Sequence, residues 1–189
     1  MSALDRLADI APERVRPLRR VEYEKMVAEG LFEGERLELL EGVIVEMSPQ
    51  DPRHAGTVHK LTRVLGHALA GGADVRVQLP LVASDESVPE PDVALVKPGD
   101  YEDAHPATAF LVVEVAETSL RKDRTLKADL YARSGVPEYW IVNLVDRLIE
   151  VHTDVAGAAY THVTPAHPGE SIRLRAFPDI EIAVSEIIR

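Results

Sequence analysis

The sequence predicts an α/β fold in which a mixed central sheet is flanked by helices. The stretch Phe110–Ala116 is almost wholly apolar, as expected of a strand buried on both faces. A helical pattern, Ser119–Arg133, follows it, and a second buried strand, Tyr139–Val142, comes after that helix. Strand, helix and strand in this order indicate a sheet with helices packed on it.

The chain begins with a charged segment over residues 1–20 that contains two prolines and has no long periodicity. We interpret it as a partly ordered lead-in to a single domain over residues 21–189. Val21–Ala28 is a predicted short helix, which Gly30 ends. Two short strands are predicted within Leu37–Met47, on either side of a turn at Glu41-Gly42.

A long amphipathic helix is predicted over His54–Leu69, after a loop over residues 48–53. Its apolar residues recur every three or four positions. Gly71-Gly72 ends it. Further strands, some of which extend the sheet at both ends, are predicted over Val75–Val82, Asp92–Val96, Leu148–His152, Ile172–Leu174 and Ile180–Ile182.

Composition excludes several classes of protein. The 189 residues include no cysteine, which excludes disulfides, a thiolate nucleophile and a cysteine-based zinc site. We see neither the apolar stretch of a signal peptide nor the roughly 18 apolar residues of a membrane span, so we expect a cytoplasmic protein without a membrane partner. The net charge of −11 repels a phosphate backbone, although clustered carboxylates that hold cations invert the local field.

Two acidic residues stand out against the predicted strands. Glu114 lies within an apolar strand, where a carboxylate costs several kcal/mol unless it is paired or binds a metal. Asp92 opens the neighbouring predicted strand directly after Pro91. Acids on two adjacent strands can converge on one Mg²⁺. A structural salt bridge for Glu114 and simple turn chemistry for Asp92 are the alternatives.

The helix after the Glu114 strand carries a third candidate. Asp123, Lys127 and Tyr131 are spaced by four residues and therefore share one helical face. A lysine on a helix that packs across the sheet can reach strand carboxylates and stabilise phosphate charge. An exposed Asp123–Lys127 ion pair would give the same spacing.

These residues, in this order, resemble the PD-(D/E)XK nuclease superfamily and, within it, the Uma-type family of bacterial endonucleases. The resemblance covers roughly residues 20–155. Its most specific stretch is Gly135–Ile141, which includes the single tryptophan, Trp140. The other stretches that carry it are Leu37–Val43, Pro91-Asp92, Val113–Val115, and Ser119 with Asp123 and Lys127.

The resemblance implies a restriction-endonuclease-like fold and a set of site residues. It implies catalytic roles for Asp92, Glu114 and Lys127, with the lysine moved to the helix because Ala116 occupies the superfamily position two residues beyond the strand acid. Implied metal ligands are Asp92, Glu114 and His54, and implied substrate contacts are Tyr131, Gln78 and Glu41. A structural histidine and a solvated turn glutamate remain alternatives for His54 and Glu41.

Together these features predict a phosphodiesterase that hydrolyses nucleic acid, most simply DNA, with Mg²⁺ or Mn²⁺. Two alternatives stay open: an inactive nuclease-fold binding module, which the acidic charge and Ala116 favour, and a hydrolase of small phosphate esters. Edge strands at both ends of the chain also predict a homodimer, because unpaired edges are usually covered.

Overall fold

The computed structural model describes residues 16–188, which divide into two compact units. Unit 1 holds the described part of Met1–Met47 together with Ser84–Val88, and unit 2 holds the described parts of Ser48–Ala83 and Pro89–Arg189. Residues 1–15 of the predicted lead-in lie outside the described residues. A single domain over residues 21–189 stays a prediction.

Unit 1 contains one helix and one hairpin. The helix α1 spans Arg20–Ala28, and the hairpin strands are β1, Leu37–Leu40, and β2, Val43–Glu46. Glu41 and Gly42 both have positive φ, at 50° and 76°, as the tight turn of a two-residue hairpin requires. This confirms the predicted turn.

Unit 2 is built on a six-stranded mixed sheet in the order β3-β4-β5-β6-β7-β8. The β5–β6 pair is parallel, and the other pairs are antiparallel. The mixed α/β class predicted from the sequence is therefore confirmed. The strands are Asp74–Val77, Val93–Val96, Leu111–Ala116, Glu138–Asn143, Leu148–Ala156 and Ala159–Ala166. A separate hairpin joins β9, Ser171–Leu174, to β10, Phe177–Ala183, before a short 3₁₀ turn at Val184–Glu186.

Helix α2, Pro52–Leu69, covers one face of the sheet. Its buried row includes Val58, Leu61 and Leu65, which pack in one cluster with apolar residues of β4, β5 and β6. The Asp51 side chain accepts hydrogen bonds from the first-turn amides, so the helix begins inside the segment predicted as a loop. Proline at the first helical position favours this start, because its fixed φ suits a helix and its missing N–H is not needed there.

The helical segment between β5 and β6 covers the other face. It was predicted as one helix over Ser119–Arg133, but the structure divides it into α3, Leu120–Lys122, a π-helical turn, Asp123–Lys127, and α4, Ala128–Arg133. Sequence periodicity does not reveal such a turn because it adds only one residue to the helical repeat. Tyr131 and Tyr139 pack here at 5.1 Å between ring centroids.

The strands differ from the prediction in two places. Strand β3 ends at Val77 instead of Val82, because Gln78 has a φ of 51° and Pro80 lacks an N–H for a sheet ladder. Strand β8, Ala159–Ala166, was not predicted, and most of its side chains are exposed. Among the helices of residues 16–188, none has the length and apolar character needed to cross a membrane.

Candidate active site

Strand pairing brings the two predicted acids together. Asp92 precedes β4, one position beyond the pair Val93–Val113 that aligns β4 with β5. The backbone amide of Val115 donates to Asp92 Oδ2 at 2.8 Å, so the Asp92 carboxylate is bound to the residue next to Glu114. Asp92 therefore lies immediately before the strand that pairs with the Glu114 strand, and a joint role of the two acids in one site stays a prediction.

Two further side chains hold the Asp92 carboxylate. Gln78 Nε2 donates to Oδ1 at 3.2 Å, and His54 Nε2 lies 3.0 Å from Oδ2. Asp92 is 7% exposed. The backbone of Gln78 is in the left-handed region, which is uncommon for residues other than glycine and recurs at functional sites. Both side chains therefore meet the acid that the sequence assigned to the same site.

His54 lies in the first turn of α2, where the Asp51 side chain accepts its backbone N–H. The hydrogen bond to Asp92 raises the pKa of His54, and the negative charges of Asp92, Asp51 and Glu114 add to this effect against the cost of burial. Its Nδ1 atom is buried and has no hydrogen-bond partner among the described residues. His54 thus lies where the sequence expected a third ligand, and ligation stays a prediction.

Glu114 lies in the middle of β5 and is 5% exposed. Its Oε1 accepts a hydrogen bond from Lys127 Nζ at 2.9 Å and another from the Tyr131 hydroxyl at 2.7 Å. Lys127 is 3% exposed and Tyr131 0%. The helical face predicted from the spacing therefore points at the strand acid. An exposed Asp123–Lys127 pair is excluded, whereas the catalytic role of Lys127 stays a prediction.

Asp123 is a buried acid to which the sequence analysis gave no role. It is 2% exposed, and the Ser119 hydroxyl donates to its Oδ2 at 2.6 Å. Burial raises the pKa of Asp123, against the hydrogen bond from Ser119 and the positive charges of Lys127 and Lys122. The four-residue spacing between Asp123 and Lys127 was the sequence feature that could have drawn attention to this acid.

Unit 1 carries one predicted site residue, Glu41, and one buried acid, Glu38, to which the sequence analysis gave no role. Glu41 occupies the hairpin turn, where its side chain is exposed and its backbone amide donates to Ser87 Oγ. Its contact with substrate stays a prediction. Glu38, within the apolar strand β1, is 0% exposed. An acid inside an apolar run was the signal that identified Glu114, and it applied to Glu38 as well.

The donor set fits a magnesium-type ion. Within residues 16–188, no group of three or more histidine, cysteine, aspartate or glutamate side chains is arranged to hold a metal. Magnesium commonly takes only one or two protein carboxylates and keeps several waters. Asp92 and Glu114 supply that pair of hard oxygen donors from adjacent strands, so the chemistry of these residues fits Mg²⁺ or Mn²⁺.

Comparisons with known proteins bear on the family and the fold of the chain. The model of a family described as "Uma2: Putative restriction endonuclease" matches residues 20–185. Among solved structures, the crystal structure of a putative nuclease belonging to DUF820 from Anabaena variabilis matches with a TM-score of 0.67 and 13% sequence identity. The match covers 90% of this chain and 97% of that one. At that identity the likeness shows the fold alone. No curated protein matches the chain.

Proposed function

We propose that this chain, which belongs to the Uma2 family of putative restriction endonucleases, hydrolyses phosphodiester bonds of nucleic acid with a bound divalent metal ion. The observation that carries the proposal is the buried carboxylate of Glu114, which accepts hydrogen bonds from Lys127 and Tyr131 beside Asp92. A protein rarely buries an acid and a lysine together without a purpose, because desolvating both charges costs several kcal/mol.

Each side chain has a defined task in this proposal. Asp92 and Glu114 would hold the metal ion, with Mg²⁺ as the first candidate and Mn²⁺ as the alternative. When bound, the ion supplies an activated water and neutralises charge that develops on the phosphate. His54 and Gln78 fix the orientation of the Asp92 carboxylate.

Lys127 and Tyr131 act on the other acid. The ammonium of Lys127 lies against Glu114 Oε1, where it can orient the attacking water or stabilise the negative charge of the transition state. The Tyr131 hydroxyl donates to the same oxygen and keeps the carboxylate in one orientation. No covalent nucleophile is needed in this chemistry.

A cleavage assay tests the proposal. We expect cleavage of single-stranded DNA, double-stranded DNA or RNA in Mg²⁺ or Mn²⁺, and none in a chelator. Asp92→Asn and Glu114→Gln should abolish cleavage while retaining a native circular dichroism spectrum. Glu102→Gln, which changes an exposed acid in a loop, should cleave like the wild type. Cleavage that survives in both site variants would contradict the proposal.

A small-ester substrate in the same assay and a separate binding measurement distinguish the two alternative functions. A nucleotide ester hydrolysed in the absence of any nucleic acid cleavage would favour a hydrolase of small phosphate esters. The binding module is favoured by one observation: Ala116 occupies the position at which the superfamily has a lysine. Calorimetry of metal and DNA binding tests this alternative. Metal affinity that is independent of Glu114, together with DNA binding but no cleavage, would support that module.

We also propose a homodimer. Strand β8 is an outer strand of the six-stranded sheet, and its Val163 side chain is 49% exposed. An uncovered strand edge invites pairing with a second chain. A sedimentation mass near the 20.8 kDa of one chain would refute this part of the proposal.

A further inference from the structure

The helical segment that carries Lys127 contains a π-helical turn over Asp123–Lys127. Within it, the backbone N–H of Ala128 donates to the carbonyl of Asp123, five residues earlier. Such wide turns are rare, and they occur mostly as single turns inside helices at functional sites. A turn of this kind persists only when its surroundings hold it.

An ion pair holds the start of the π turn to the sheet. Arg124 Nε donates to both carboxylate oxygens of Glu150, at 3.2 Å and 2.9 Å, and its terminal nitrogen donates to Oε1 at 2.5 Å. Glu150 lies on β7, and its side chain is 10% exposed. Two-pronged arginine–carboxylate contacts fix geometry more strongly than single ones.

A residue of the neighbouring strand also holds the Glu150 carboxylate. Asn143 Nδ2 on β6 donates to Glu150 Oε1 at 3.0 Å. Burial alone would raise the pKa of Glu150, but the hydrogen bonds from Arg124 and Asn143 outweigh it and lower the pKa. A hydrogen bond also joins β6 to the same turn: the buried Tyr139 hydroxyl donates to the Asp123 carbonyl at 3.2 Å.

Two ion pairs hold residues of the π turn itself: Arg124, its second residue, pairs with Glu150, and Lys127, its last residue, pairs with Glu114. In an α-helix each residue advances by about 100° around the axis. If the turn slipped to regular α geometry, the residues on its two sides would rotate relative to each other by about that angle. Because Arg124 and Lys127 lie near opposite ends of the turn, such a change would move their side chains relative to each other and strain at least one of the two ion pairs.

We propose that Arg124 and Glu150 are positioning residues, whose ion pair keeps the π turn in the register that presents Lys127 to Glu114. The inference rests on the proposed function, since it assigns a role in the same site. Neither residue touches the reacting groups in this scheme. They act through the helical turn, from the side of the sheet where β7 lies.

Accessibility of the Lys127 amine tests the inference without metal or nucleic acid. The protein is treated with an amine-acylating reagent, and mass spectrometry follows the modification of each lysine. We expect Lys127 to react about tenfold faster in Arg124→Ala and Glu150→Gln than in the wild type, because the freed turn opens more often. Lys60, whose half-buried ammonium contacts the carbonyl of Ile187 elsewhere in unit 2, is the internal reference for changes that are not confined to the π turn.

A matched control removes a different arginine that forms an ion pair with the same strand, β7. Arg175→Ala breaks the ion pair with Asp154 on β7, where both side chains are about half exposed, at 51% and 54%. Acylation of Lys127 should then stay within about twofold of the wild type, since exposed pairs contribute little. Arg124→Lys keeps the positive charge but loses the two-pronged guanidinium contact. Lys127 should therefore be acylated more slowly in Arg124→Lys than in Arg124→Ala.

The outcome is decided by three comparisons. Wild-type protection of Lys127 in a folded Glu150→Gln variant would overturn the inference, and so would a rise that Lys60 shares or that Arg175→Ala reproduces. If Arg124→Ala does not fold, Glu150→Gln decides alone, because it keeps the shape of the side chain and its Asn143 partner. Where the wild type cleaves nucleic acid, Arg124→Ala and Glu150→Gln should each lower kcat and leave KM within about twofold. Because acylation needs no activity, failure of the proposed function and failure of this inference give different results.

Discussion

Replacing Lys127 by methionine should lower the free energy of unfolding by about 3 kcal/mol. The Glu114 and Lys127 side chains are 7% and 3% exposed, and 2.9 Å separates Nζ from Oε1. Removal of one partner from a pair this buried leaves the other charge uncompensated, which costs about 3–5 kcal/mol. The Tyr131 hydroxyl still donates to Glu114 in the variant, so the lower end of that range applies.

The double variant Glu114→Gln with Lys127→Met should be more stable than Lys127→Met alone. It removes both buried charges, and uncharged groups of similar volume can replace a buried ion pair at little cost. We expect a coupling free energy of about 2 kcal/mol between the two positions. For a chain of this length, a loss of about 3 kcal/mol lowers the Tm by about 6–12 °C.

Urea unfolding without added metal measures these differences. Trp140 is the single tryptophan and is 0% exposed, so its fluorescence reports on the core of unit 2. Arg175→Met, which removes an exposed ion pair, serves as the control and should change the free energy of unfolding by less than about 1 kcal/mol. The reasoning is refuted if Lys127→Met costs no more than this control, or if the double variant is no more stable than Lys127→Met.

Three further predictions concern the catalytic role of Lys127, the titration of His152 and the backbone at two glycines. Lys127→Ala should lower turnover about 100-fold while calorimetry finds unchanged Mg²⁺ affinity; equal loss of both would make Lys127 part of the metal site. Burial lowers the pKa of His152 below its ordinary value of 6.5, so its contribution to stability is complete above that pH and is lost as the pH falls below it. His152→Phe should therefore lose less stability than the wild type between about pH 7.5 and pH 5.5 in urea titrations, and an equal loss would contradict the assignment. Gly42→Ala should lower the Tm, because φ is 76° and the new Cβ would lie 2.2 Å from Pro17 Cβ. Gly56→Ala in α2 should raise the Tm slightly, because a Cβ there meets no atom of another element within 4 Å. A Tm change of the same sign in both variants would contradict the reasoning.

Much of the fold followed from local patterns. The apolar row of α2, with Leu61 and Leu65, has a helical period, and the strands β5 and β6 are continuous apolar runs. Glu114 was identifiable because a charge inside such a run needs a partner. Its partner Lys127 could be proposed because helical spacing is a local property.

The features that were missed depend on contacts between different structural elements. Strand β8 forms by pairing with β7, and its exposed side chains and Pro165 gave no alternating pattern. Glu150 looks like an ordinary strand residue until Arg124 reaches it from a helical segment 26 positions away. Tertiary structure determines each of these, so single-sequence patterns did not show them.

The parallel pairing of β5 with β6 has a consequence for the order in which the protein folds. Glu114, Lys127 and Tyr131 all belong to the strand and helical segment that lead to β6, and their contacts join residues 13 and 17 positions apart. The entropy cost of closing such short loops is small, and contacts between residues near in sequence speed folding. The β5–helix–β6 segment can thus form as a nucleus that already contains the buried ion pair, and the outer strands β3 and β8 can add to it later by antiparallel pairing with their sequence neighbours.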